Sequence, residues 1–102
     1  MSANPHRGEA EIKVAGEVLL LRPSFSALVL AEDELGSLFA LVERAAEGRL
    51  ALGEIAALFD YLSRGRPPAI SREMIGEEVV AMGLAKVAPV LRTLLAQILK
   101  GR

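Results

Sequence analysis

Hydrophobic positions change their spacing several times along this 102-residue chain, and each change marks an element. Glu9 to Val14 alternates polar and apolar side chains, the period-two pattern of a half-buried strand. Val18 to Leu21 is a continuous apolar run, and Phe25, Leu28, Val29 and Leu35 then follow at helical spacing. A strand therefore hands over to a helix within Glu17–Gly36, and the rest of the fold reads as organised around that stretch. Pro23 cannot donate to a strand ladder and pushes Arg22 toward extended geometry, so the strand ends there, with Ser24 as N-cap and Gly36 as stop. The four apolar positions are expected to form the buried stripe of the helix. Glu32 falls at the edge of that stripe, placed to reach water or to pair with a cation such as Arg22.

The remaining chain is helical in pattern. Ser37 caps a second helix through Glu47, with Leu38, Leu41, Val42 and Ala45 on one stripe and Gly48 after it. Leu52 to Arg64 forms a third around Ile55, Leu58, Phe59 and Leu62, with no polar cap at its start and Tyr61 toward the stripe edge, hydroxyl in water. Arg64 to Ala69, RGRPPA, is a linker too short to separate domains. Ser71 caps a fourth helix, which carries Glu73 in its first turn and Ile75, Val79 and Met82 as its stripe, with Val80 off it. Gly83 ends or bends that helix. Leu84, Val87, Leu91, Leu94 and Ile98 then define a last helix whose regular part is expected from Lys86 to Ala88 onward, because Pro89 suits only a first turn. Leu95 and Leu99 widen its apolar stripe beyond what one seam needs. The fold expected is α+β: an N-terminal antiparallel β-hairpin followed by about five short helices in one domain over 9–102, preceded by a flexible arm over 1–8.

The hairpin poses a burial problem. Ala15-Gly16 joins the strands either as a two-residue type I′ turn, in which Ala fits poorly, or within a three-residue loop with Gly16 left-handed; the two differ by one residue in register. In either register the second strand has apolar side chains on both faces, so Val18 with Leu20, or Leu19 with Leu21, faces away from helices packed on one side. Leaving each such side chain in water forgoes about 1.5–3 kcal/mol. Later helices of the same chain, a second copy or another partner must cover that face.

Composition sharpens this picture. Apolar residues make up 52% of the chain, and the uncharged stretches are too short to span a bilayer, so the surplus goes to a core or a partner. Cysteine is absent, which removes disulfides and thiolate chemistry and fits a reducing, cytoplasmic setting. His6 is the lone histidine, and it sits in the N-terminal arm; no metal or other cofactor is expected. Ser24, Ser37 and Ser71 are explained as caps, no nucleotide or nucleophile motif occurs, and Glu32, Asp33 and Glu34 point about 100° apart on a helix, so no enzyme is expected. Net charge is −1 but uneven: 1–63 is acidic and 64–102 basic. The cations are scattered without aromatics between them, which argues against nucleic acid, although a hairpin with helices can imitate a winged-helix regulator.

Several segments in order resemble the small gene transfer agent and phage tail assembly chaperone family, encoded near the tape-measure protein. They are Ala3–Glu9 (ANPHRGE), a hairpin closing on Gly16, Leu21–Gly36 (LRPSFSALVLAEDELG), Gly-Arg-Leu at 48–50 and Ser-Arg-Glu at 71–73. The family pattern has Asp or Asn before the hairpin Gly and a small polar cap ahead of the third helix; Ala15 and Leu52 depart from both. The resemblance implies a non-enzymatic factor that keeps the tape-measure protein soluble and helps tail-tube subunits gather. The candidate partner-binding residues are Val18 and Leu20 on the hairpin, Val80, and Leu95 and Leu99 on the outer side of the last helix. A homo-oligomeric adaptor and a small DNA-binding regulator are the alternatives.

Overall fold

The computed structural model describes residues 3–4 and 8–101; His6 and most of the expected arm lie outside the described residues. Strands β1 (Ala10–Val14) and β2 (Glu17–Leu21) form an antiparallel hairpin, followed by α1 (Phe25–Leu35), α2 (Leu38–Ala46), α3 (Leu52–Leu62), α4 (Arg72–Met82) and α5 (Leu84–Lys100). These elements close into one domain with the α+β architecture that the spacing predicts.

Local chemistry accounts for most of the boundaries. The hydroxyls of Ser24, Ser37 and Ser71 accept hydrogen bonds from the backbone N–H groups of Ala27, Ala40 and Met74, each capping its helix. Gly36 and Gly83 take positive φ where α1 and α4 stop. α3 starts on Ala51, which offers no side-chain cap; the Glu54 carboxylate instead accepts from the Ala51 N–H at 3.0 Å, half of a capping box. α5 departs from expectation by starting at Leu84, so Pro89 lies inside it and removes one helical hydrogen bond. The cost is tolerable because Pro89 and Ala85, four residues before it, are both exposed, and the orphaned carbonyl meets water.

The turn question resolves in favour of the strained option. Val14 pairs with Glu17, leaving a two-residue turn in which Ala15 and Gly16 have φ of 51° and 81°. In this register Ile12, Val14, Leu19 and Leu21 are buried, while Val18 and Leu20 lie opposite Lys13 and Glu11 on the outer face.

The hub is α3, not the stretch from Glu17 to Gly36. It buries Ile55, Ala56, Ala57, Leu58, Phe59 and Leu62, and it packs against α1, α4 and β2. Contrary to the expected stripe, α1 fully buries Ala27 and Ala31, while Leu28 and Leu35 are half-buried and Phe25 and Val29 are exposed. α1 is rotated so that these two alanines, not its larger apolar side chains, face the packed interior, where α3 is its main neighbour. At the N-terminal end, Ala3 and Asn4 donate backbone N–H groups to the carboxylates of Glu11 and Glu9, and buried Gly8 sits so close to Gln97 that a β-carbon there would clash. This described part of the expected arm is thus held against the domain.

Candidate interaction surfaces

Polar side chains that converge in this molecule fasten helices to one another. Arg72, from the first turn of α4, donates to Glu34 of α1 at 2.6 Å and to Asp60 of α3 at 2.8 Å, and lies over the Tyr61 ring. The Tyr61 hydroxyl donates to Glu34 at 2.7 Å, and Arg66 pairs with Asp60 while donating to the Ile70 carbonyl. The hydrogen bonds from Arg72 and Tyr61 hold the Glu34 carboxyl below its ordinary value, and those carboxylates raise the Arg72 guanidinium in turn. Glu54 is lowered by the Ala51 N–H and by Arg44, whose guanidinium is 2.5 Å away. Glu32 does not meet Arg22: it accepts from the Leu38 N–H at the start of α2, and Arg22 pairs with Glu9. Among the described residues, no three His, Asp or Glu side chains form a group that could hold a metal ion.

Apolar surface is where the chain has something left over. Val18 is 56% exposed on the outer hairpin face. Leu20 beside it is half-buried and stands outside the core; both line a cleft with Tyr61 and the segment Arg64–Pro67 that follows α3. Val80 is 65% exposed and lines a separate shallow depression with Leu35, Gly53 and Gly76. Leu99 is 58% exposed, but Leu95 is only 8% exposed, which corrects its placement on the outer side of the last helix. Leu95 follows Leu94 directly and is buried with it in the core, whereas Leu99, a turn further along α5, is left open to solvent. The five candidate residues therefore fall on three surfaces.

A further apolar cleft is a groove of about 540 Å³ between α2 and α5. Val42 and Ala45 of α2 make one wall; Leu84, Val87, Leu91, Leu95 and Leu99 of α5 make the other, and Leu50 and Ile55 also line it. Arg92 and Lys100 are the charged residues that line it. A smaller hollow sharing Val42 and Leu99 continues it toward Glu32 and Phe39. Phe25, 84% exposed, and Phe39, 76% exposed, are the largest apolar side chains in water, and sequence reasoning missed both. Phe39 was detectable, since it falls off the Leu38–Leu41–Val42 stripe as Val80 falls off its own. Phe25 carried no such signal, because it shares a helical stripe with Leu28.

No single helix among the described residues is long and apolar enough to cross a membrane. A family model described as phage tail tube protein, GTA-gp10, matches residues 7–101. Neither a curated protein nor a solved structure matches the chain.

Proposed function

The chain belongs to the phage tail tube protein, GTA-gp10 family, and from that premise we propose that it is a non-enzymatic tail assembly chaperone acting in the cytoplasm. It covers apolar segments of the tape-measure protein while tail-tube subunits gather. The observation that carries this reading is the outer hairpin face, where Val18 and Leu20 stand in a register that turns them away from the core. A family tie to phage tails supports a role in tail assembly, and the uncovered apolar side chains support binding as the activity. The ion pairs support it further: Arg66 and Arg72 satisfy Asp60 and Glu34, which leaves less of the basic half available to phosphates.

The test is co-expression with the neighbouring tape-measure protein, comparing the wild-type chain with Leu20→Asp and Leu99→Asp. Loss of soluble tape-measure protein with either variant, each still folded by circular dichroism, is the expected result. Solubility untouched by both removes the proposed client surface. The family description favours one further reading, a tube subunit that associates with copies of itself. Sedimentation of the isolated chain separates the two, since a tube subunit forms large species without any client.

A further inference from the structure

We propose that the groove between α2 and α5 is a receptor for one amphipathic helix of about four turns, contributed by another chain and carrying acidic residues along its edges. The proposal deepens the client-binding reading and rests on it for the partner's role, though not for the existence of the site. Three observations converge. The wall made by α5 runs from Leu84 to Leu99 on one face, and at 1.5 Å rise per residue that is about 22 Å, the length of a fifteen-residue helix. The lining is apolar along this length, and Leu84 and Leu99 stay exposed, so the trough is open on its outer side. Its charged lining is cationic, Arg92 and Lys100, with no carboxylate among the lining residues. That combination selects a helix with an apolar stripe and acidic flanks.

A second copy of this chain fits poorly. The exposed apolar ridge of α1 is Phe25 and Val29, about 6 Å along a helix axis. Among the described residues the one exposed apolar pair that spans the groove's length is Leu84 and Leu99 of α5 itself, and a second copy's α5 would bring Arg92 and Lys100 against the cations already there.

The experiment measures fluorescence anisotropy of a labelled sixteen-residue synthetic helix, with leucines at every third and fourth position and glutamates beside them, titrated with the full chain. A control peptide carries lysine in place of every glutamate. Saturable binding of the glutamate peptide at one per chain is expected, weakened by added salt. Leu99→Asp is expected to weaken it about tenfold or more, and Lys100→Glu about two- to fivefold. Ala96→Trp, which fills the trough from an exposed position without adding charge, is the second variant and is also expected to block binding. Circular dichroism checks that each variant is folded.

No saturable binding, equal binding of the lysine peptide, or binding indifferent to both Leu99→Asp and Ala96→Trp would overturn the proposal. Concentration-dependent self-association of the chain alone, abolished by Ala96→Trp, would overturn it in favour of a second copy. If the peptide binds in the groove while the tape-measure protein stays soluble with the blocked variants, the receptor stands and the client's route lies elsewhere.

Discussion

Ala15 is the residue at which this chain departs most plainly from local preference. Its φ of 51° places an L side chain in left-handed backbone, in a turn whose twist suits the hairpin. A residue that accepts that conformation should remove the penalty, so Ala15→Asn or Ala15→Gly is expected to stabilise the protein by about 0.5–1 kcal/mol, read as a higher urea midpoint at constant slope. An unchanged midpoint would show that the turn relaxes in solution. Gly76 offers the opposite opportunity. It sits inside α4 with ordinary helical φ, and a β-carbon there would meet the Ala56 methyl at 3.5 Å, normal contact distance. Gly76→Ala is therefore expected to raise stability by about 0.5–1 kcal/mol, checked by thermal melting.

At the scale of elements, the helices are joined by a few polar ties whose strength depends on pH. Arg72 bridges α4 to α1 and α3 through Glu34 and Asp60, and Arg44 bridges α2 to Glu54 of α3. The carboxyls of Glu34 and Glu54 are both more acidic in the folded protein than their ordinary value of 4.5. Groups with lowered folded-state pKa stabilise fully above their unfolded value and lose that contribution as pH falls through the folded one. Stability should therefore be flat near neutrality and decline below about pH 4.5. In a Glu34→Gln, Glu54→Gln double variant the decline should be shallower, as followed by urea midpoints from pH 7 to pH 3. An equally steep decline would assign the acid sensitivity to other carboxylates. Glu34 is exposed and Glu54 only partly buried, so the effect is modest and should shrink with added salt.

At the scale of the whole molecule, the relevant quantity is apolar surface that the core does not use. Phe25 and Phe39 stand in water on α1 and α2, where neither contributes to packing. Phe25→Ser and Phe39→Ser are expected to leave thermal stability within about 0.5 kcal/mol, as surface substitutions do. A Phe25→Ser, Phe39→Ser double variant should lower retention on a hydrophobic-interaction column. A large fall in melting temperature would mean that one ring packs against the domain in solution. These rings, the outer hairpin face and the α2–α5 groove together give a chain of this size several apolar contacts to offer, which is what a factor working by association requires.

The sequence by itself determined the elements. Alternation in Glu9–Val14, helical spacing after Ser24, Ser37 and Ser71, and glycines after each stripe are local signals, and local hydrogen bonding is what starts and stops strands and helices. It also determined that Val18 and Leu20, or their neighbours, would be turned outward, because a strand apolar on both faces cannot hide both against one layer. Tertiary structure decided which pair that was, since register follows from a turn conformation that Ala15 disfavours on its own. It likewise decided that α3 is the hub, that Ala27 and Ala31 rather than Phe25 and Val29 turn inward, and that Leu95 is buried where Leu99 is exposed, although both line the groove. Those outcomes depend on how closely two helices approach and at what rotation, and periodicity specifies which residues share a face but not which face a neighbour will cover.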